Sequence, residues 1–366
     1  MRRYFLLLGA FVIVFASCHV GRFFVYNFAN ITDYKKFANR PLVAPLGNTF
    51  HFHKSDSIKA PKSITLNKDS LSFENWLEKT KTVGFMVVRN DTVLYENYLN
   101  GYEEESIMTS FSMAKSVTSL LIGCAIDEGH IKSTDEYVSE YIPDFKEEGL
   151  KDIKIIHLLQ MTSGIDFNES YYNPLGQAAL YYYGRNLRKY VARMKPEGKP
   201  GSSFNYASGD TQVLGLVLEK ALKGKKVTEY LQEKIWTPLG MEFDASWSID
   251  KKKDGMEKTF CCLNARMRDY AKIGRLMLNK GEWDGRQIVS KSWIEQSTKV
   301  DTTNGSSWYY QHQWWLPTKE GDYMAQGILG QFMYVNPSKN LIILRLGKNY
   351  GHTDWYSFLP TLAKFY

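Results

Sequence analysis

The chain has 366 residues, of which 44% are hydrophobic and 23% are charged, so it is long and apolar enough to bury the core of a globular protein. Its net charge of +7 is spread along the sequence, and the densest basic run, Lys251–Lys253, is short and flanked by aspartates. Without a basic stripe and interleaved aromatic residues, we expect no binding to nucleic acid.

The N-terminus has the pattern of a targeting or anchoring segment. Arg2 and Arg3 precede an apolar run from Tyr4 to Ala16, which is shorter than the ~20 residues of a membrane-spanning helix and suits a signal peptide. Residues 15–18, Phe-Ala-Ser-Cys, are similar to a lipobox. A lipoprotein modified on Cys18, an uncleaved anchor and a cleaved signal all remain open for residues 1–20. The positive-inside rule places the rest of the chain outside the cytoplasm in each case, on the periplasmic side in a Gram-negative cell.

Residues 21–72 are predicted to form an N-terminal extension that packs on the main body or holds it away from a membrane. A short helix is expected from Phe73, and a hairpin from Val83 to Tyr95 has its turn at Asn90 and Asp91.

The segment that starts at Thr109 reads Thr-Ser-Phe-Ser-Met-Ala-Lys. Apolar residues follow at helical spacing, so a helix is expected to begin in a cleft and run into the core. Residues three apart share a helix face, so Ser112 and Lys115 are expected to meet. A lysine in a low-dielectric pocket can be the base that activates a serine hydroxyl. A helix cap with a solvated lysine is the structural alternative.

Ser248 and Lys251 show the same spacing. They lie in a polar, lysine-rich stretch without an apolar helix behind it, which predicts a solvated loop.

A mainly helical region is predicted between residues 133 and 300, inserted between the first and last strands of one sheet. A turn-rich loop at residues 200–211 contains Tyr206 and Ser208 and leads into a buried helix. The expected helices are 187–194, 211–222, 227–235, 269–278, 291–296 and a closing helix 353–364, and the expected later strands are 308–316, 323–335 and 341–346. The Gly327–Gln331 stretch lies inside one of these strands, where a bulge at Gly330 is expected.

The four cysteines show no metal-ligand spacing with histidine, and no metal or other cofactor is predicted. Cys124 lies on the apolar face of the Ser112 helix and is expected in the core. Cys261 and Cys262 are adjacent, and adjacent cysteines rarely pair with each other. A disulfide from Cys124 to either of them is left open.

The order and spacing of these elements resemble the serine β-lactamase and penicillin-binding-protein superfamily, in its class C-like branch with 6-aminohexanoate-dimer hydrolases and related esterases. The resemblance covers residues 73–366 and includes His157–Ile165, Leu263–Ala271 and Gln313–Trp315. It implies an α/β (α+β) fold, with an antiparallel sheet flanked by helices.

The resemblance implies that Ser112 is the nucleophile and that Lys115 and Tyr206 are the general-base pair, without deciding which is the primary base. Tyr206 and Ser208 fill a Tyr-x-Ser motif of this branch. The amide of Gln331, beside Gly330, is expected to be the second oxyanion donor opposite that of Ser112. Candidate walls of the cleft, carried over loosely from the family, are Tyr171, Tyr172 and Trp314.

The expected activity is that of a serine acyl hydrolase on small esters or amides. Many relatives that process β-lactams or D-alanyl peptides carry a cation in the segment that corresponds to Gly327–Gln331, where this chain has Ile328 and Leu329. This difference argues against β-lactams and D-alanyl peptides as substrates, so a β-lactamase or D-alanyl-D-alanine carboxypeptidase is only the alternative within the fold. A non-catalytic binding or sensor module is the alternative of another class.

Overall fold

The computed structural model describes residues 19–26, 28–66 and 69–366. The predicted signal or anchor segment, including Cys18, lies almost wholly outside the described residues. Within the part described, no helix combines the length and the apolar character needed to cross a bilayer.

The described strands and helices are numbered in chain order. The strands are β1 (Ala38–Leu42), β2 (His53–Lys54), β3 (Ser63–Leu66), β4 (Asp69–Ser72), β5 (Thr82–Arg89), β6 (Thr92–Tyr98), β7 (Met108–Thr109), β8 (Ala245–Ile249), β9 (Leu263–Ala265), β10 (Glu282–Trp283), β11 (Arg286–Gln287), β12 (Tyr310–Gln311), β13 (Trp314–Trp315), β14 (Tyr323–Gly327), β15 (Gln331–Asn336) and β16 (Leu341–Gly347). The α-helices are α1 (His19–Tyr26), α2 (Phe73–Lys79), α3 (Met113–Asp127), α4 (Ile155–Leu159), α5 (Gln177–Tyr183), α6 (Leu187–Val191), α7 (Ser208–Ala221), α8 (Val227–Leu231), α9 (Met267–Leu278), α10 (Lys291–Thr298) and α11 (Trp355–Ala363).

The main sheet has eight strands in the order β12-β13-β14-β15-β16-β5-β6-β2. All of its pairs are antiparallel except β2 with β6. Strands from both ends of the chain therefore meet in one sheet, as predicted, and the hairpin turn at Asn90 and Asp91 takes positive φ at both positions. The mainly helical region between them also contributes β8 and β9 to a second sheet, in the order β1-β8-β9-β7.

The N-terminal extension packs on the main body. Strand β1 pairs with β8 from Ala38 to Leu42, and β2 pairs with β6. The prediction of a solvated loop at Ser248 is wrong. Strand β8 pairs with β1 on one side and β9 on the other, and Ser248 is a fully buried residue of this strand. Its hydroxyl donates to the side chain of Asn39 over 2.8 Å.

Helix α3 crosses the core, and every residue from Met113 to Ala125 is buried. Gly123 is required on this helix because an added Cβ would lie 2.5 Å from the Trp293 ring. Cys124 is buried with a free thiol, as predicted for a core residue. The helix is thus held along its length by packing, which fixes the position of its first turn and of Ser112 directly before it.

The Gly327–Gln331 stretch forms the tight turn of the β14–β15 hairpin, not a bulge within one strand. Leu329 and Gly330 both have positive φ, and Gly327 pairs with Gln331 across the turn. Two consecutive left-handed residues reverse the chain and end the strand.

Arg345 of β16 supports this turn from beneath. Its side chain is fully buried and donates to the carbonyls of Gly330 (2.6 Å), Thr80 (2.8 Å) and Asn349 (2.8 Å), and to the hydroxyl of Thr82 (3.1 Å). One guanidinium therefore satisfies acceptors from three separate segments.

We predict that Arg345→Met lowers the free energy of unfolding by about 3 kcal/mol or more, because several buried carbonyls lose their donor. Urea unfolding followed by tryptophan fluorescence measures the change. Arg286→Met, on the exposed β11, is the control and should stay within about 0.5 kcal/mol of wild type. Equal effects of the two substitutions would contradict this role for Arg345.

Candidate active site

Ser112 lies at the N-terminal end of α3, directly after Phe111, whose φ is 45°. A left-handed conformation is unfavourable for a bulky residue, and here burial of the Phe111 ring holds it. The turn leaves Ser112 only 9% exposed, with its side chain at the base of a cleft.

The Lys115 ammonium is held by three oxygen atoms. Its Nζ lies 3.0 Å from the Ser112 hydroxyl, 3.0 Å from the Ser208 hydroxyl and 2.9 Å from the carbonyl of Phe260. The i,i+3 spacing therefore brings serine and lysine together, and the alternative of a solvated lysine is excluded because Lys115 is 1% exposed.

Burial also changes the acidity of this lysine. Desolvation lowers the pKa of Lys115 from 10.5 to about 8, against the opposing effect of the Glu169 carboxylate. A lysine with such a pKa is partly neutral near physiological pH and can accept a proton.

The structure brings Tyr206 to the same point from the loop before α7. Tyr206 and Ser112 line the same small cavity. Burial, and after it the Glu169 charge, raise the pKa of the Tyr206 hydroxyl well above its usual value, while the Ser112 side chain acts to lower it, so this hydroxyl stays protonated at neutral pH. Of the pair left open by the sequence, Lys115 is thus the group able to act as a base.

Glu169 is a site residue that the sequence analysis missed. Its carboxylate accepts from the Ser208 amide (2.7 Å) and the Ser208 hydroxyl (2.5 Å), and it also accepts from the Tyr171 hydroxyl. Since Ser208 also contacts Lys115, a hydrogen-bonded chain runs from Glu169 through Ser208 and Lys115 to Ser112. Glu169 belongs to no short motif, so the sequence carried no signal for it.

Two cavities open beside Ser112. The large cavity has a volume of about 270 Å³ and the small cavity about 90 Å³. Tyr171 lines both of them, and Tyr172 lines the large one, where the sequence analysis expected walls.

The prediction for Trp314 is wrong by one residue. Trp314 is fully buried and packs on Tyr323, whereas Trp315 lines the small cavity with its ring 5.5 Å from that of Tyr206. Neighbouring residues of a strand point to opposite faces, so a shift of one position exchanges core for cleft.

The prediction for Gln331 also needs correction. Gln331 is fully buried, pairs with Gly327 across the hairpin and lines neither cavity, so its amide is not at the cleft. Its side chain bonds Ile328 and Gly347 and holds the turn together. Gly330 sits above Arg345 and is not at the cleft, because a Cβ there would meet that guanidinium. These positions follow from the hairpin turn, which a single bulged strand would not produce.

Gly327 and Ile328 reach the cleft instead. Gly327 packs so closely on the Ser112 turn that a Cβ would lie 2.4 Å from the Ser110 carbonyl. Neither the Ser112 amide nor the Ile328 amide donates a hydrogen bond to another described residue. Two open amide donors beside a serine hydroxyl suit a developing oxyanion.

Cys261 and Cys262 form a disulfide with each other, contrary to the expectation for adjacent cysteines. Cys262 takes a positive φ of 70° and the two Cα atoms are 3.7 Å apart. Cys261 lines the large cavity next to Phe260, whose carbonyl contacts Lys115. Among the described residues, no group of His, Cys, Asp or Glu side chains is arranged to hold a metal ion.

Comparison with known proteins agrees with this geometry. The family model described as Beta-lactamase matches residues 73–351 of the chain. A 6-aminohexanoate-dimer hydrolase of Paenarthrobacter ureafaciens is 28% identical over 295 residues, which cover 75% of this chain and 74% of that protein.

Solved structures share the fold. A structure from Bacillus anthracis, assigned as a candidate 6-aminohexanoate-dimer hydrolase, has a TM-score of 0.79 at 24% identity and covers 92% of this chain and 90% of that one. A family VIII carboxylesterase has a TM-score of 0.60 at 15% identity, with 77% and 92% of the two chains covered. The chain therefore belongs to the β-lactamase family, and it is a serine acyl hydrolase.

Proposed function

We propose that the protein hydrolyses small esters or amides without a carboxylate beside the scissile bond, through an acyl-enzyme on Ser112. The observation that carries this proposal is the contact of 3.0 Å between the Ser112 hydroxyl and a buried lysine whose pKa is lowered to about 8. Relatives and structural neighbours of the chain include a 6-aminohexanoate-dimer hydrolase and a carboxylesterase.

In the first step Lys115 takes the proton of Ser112, and the serine oxygen attacks the substrate carbonyl. The oxyanion that forms accepts hydrogen bonds from the amides of Ser112 and Ile328. Tyr206 then gives its proton to the leaving group, and the proton held on Lys115 restores it. In the second step water attacks the acyl-enzyme, with Lys115 again as the base, and releases the acid.

The substrate class follows from the charges around the cleft. No lysine and no arginine lines either cavity in the described structure. Arg185 and Lys348, two exposed basic residues that could pair with a carboxylate, line neither cavity, and Lys348 donates to the carbonyl of Asn100 over 3.1 Å. A carboxylate brought into this cleft would remain unpaired, which is costly.

We expect kcat/KM for 4-nitrophenyl acetate to exceed that for nitrocefin, because nitrocefin carries a carboxylate that the cleft does not pair. Both rates are measured by absorbance, with Ser112→Ala as the inactive control. A preference for nitrocefin of tenfold or more would favour a β-lactamase or carboxypeptidase, and no turnover of either would favour the non-catalytic alternative.

The pH dependence tests the role of Glu169 as a positioning residue. If Lys115 must be neutral, kcat/KM should fall about tenfold per pH unit below about pH 8. Glu169→Gln removes the charge that raises the pKa of Lys115, so the acid limb of the profile should move to lower pH. Glu197→Gln, on an exposed loop, is the control. An acid limb that does not move in Glu169→Gln would contradict this coupling.

We further propose that the protein is anchored to a membrane through its N-terminal segment, outside the cytoplasm. The Cys261–Cys262 disulfide supports this location, since disulfides persist in oxidising compartments. A membrane-impermeant amine-reactive biotin should label exposed lysines, such as Lys132 at 84% side-chain exposure, in intact spheroplasts. Labelling only after lysis would contradict the proposed location.

A further inference from the structure

The two cavities beside Ser112 differ in what lines them. They share four residues: Ser112, Tyr171, Ile328 and Tyr350. Tyr206 lines only the small cavity, together with Trp315 and Gln326, whereas Phe260 and Cys261 line only the large one. Ser112 therefore lies between the two cavities, and Tyr206 lines only the small one.

The proton transfer decides which part of the substrate enters which cavity. The leaving-group atom must receive a proton as its bond to the carbonyl carbon breaks. In the proposed reaction that proton comes from Tyr206, so the leaving group lies in the small cavity. The acyl group on the other side of the carbonyl then points into the large cavity.

The large cavity is apolar. Its walls are aromatic rings, aliphatic side chains and small side chains, among them Phe28 and Ala29 of the extension and Ala178 and Tyr182 of α5. No residue with a charged side chain lines it within the described structure. Such a surface favours a hydrocarbon group over a charged or strongly hydrated one.

The two cavities also differ in volume. A cavity of about 150 Å³ holds a benzene ring. The large cavity, about 270 Å³, exceeds that volume, and the small cavity, about 90 Å³, falls below it.

The wall at Phe28 and Ala29 belongs to the N-terminal extension, which lies before the residues that the family model matches. Phe23 of α1 packs on Tyr183 of α5 with ring centroids 5.5 Å apart, which holds the extension against the cavity. Phe28 is 53% exposed and its ring lies 5.6 Å from that of Tyr172, so the mouth of the cavity is apolar too.

We propose that the preferred substrates join an apolar acyl group of six or more carbons to a small alcohol or amine. This inference rests on the proposed function and assigns the two sides of its site. The reaction is the addition of water across the acyl bond, which yields the fatty acid and the small alcohol or amine and needs no other reactant.

Two isomeric esters provide the test, because methyl octanoate and heptyl acetate contain the same atoms with the long chain on opposite sides of the bond. We expect kcat/KM for methyl octanoate to exceed that for heptyl acetate by at least tenfold. Each methylene added to the acyl chain, from acetate upward, should raise kcat/KM by roughly fourfold until the cavity is full.

An equal or higher kcat/KM for heptyl acetate would overturn the assignment. Failure to hydrolyse either isomer, while methyl acetate is turned over, would overturn the acyl site and leave the proposed function standing. Failure on methyl acetate as well would contradict both.

Ala29→Trp tests the wall directly by filling the large cavity from the extension. It should lower the ratio of kcat/KM for methyl octanoate to that for methyl acetate by at least tenfold. Leu46→Trp, on a fully exposed part of the same extension, is the control and should leave the ratio unchanged. An unchanged ratio in Ala29→Trp would contradict the proposal, and the thermal midpoint of each variant confirms that it folds.

Discussion

The site depends on one buried amine. Lys115 lies out of contact with solvent, and its Nζ meets the oxygens of Ser112, Ser208 and Phe260 at 2.9–3.0 Å. Burial disfavours the ammonium form, while the three oxygens and the charge of Glu169 favour it. The balance lowers its pKa to about 8, which allows this lysine to serve as a base.

The fold holds in place the groups that set the pKa of Lys115. Helix α3 fixes Ser112 and Lys115 by packing through the core, and α7 brings Ser208 to them. The β14–β15 turn, supported by Arg345, brings the Ile328 amide to the same place. These segments are far apart in the sequence, so the main sheet and the helical region must both be formed before the site exists.

The sequence predicted the parts of the site that local spacing encodes. Ser112 and Lys115 share a helix face, and Tyr206 comes just before a buried helix, so both patterns were visible. Trp314 and Gln331 were misplaced because strand parity and turn type depend on register, which composition does not specify. Glu169 and the Phe260 carbonyl could not be found, since a lone loop carboxylate and a backbone oxygen leave no pattern.

Ser112 as the nucleophile and Lys115 as the base that activates it can be tested together by mass mapping of the full-length protein after reaction with a fluorophosphonate. We expect one adduct, on Ser112, formed at least a hundredfold more slowly in Lys115→Met, which keeps a chain of similar length without the amine. An adduct on another serine, or undiminished labelling of Ser112 in Lys115→Met, would show that these roles are wrong.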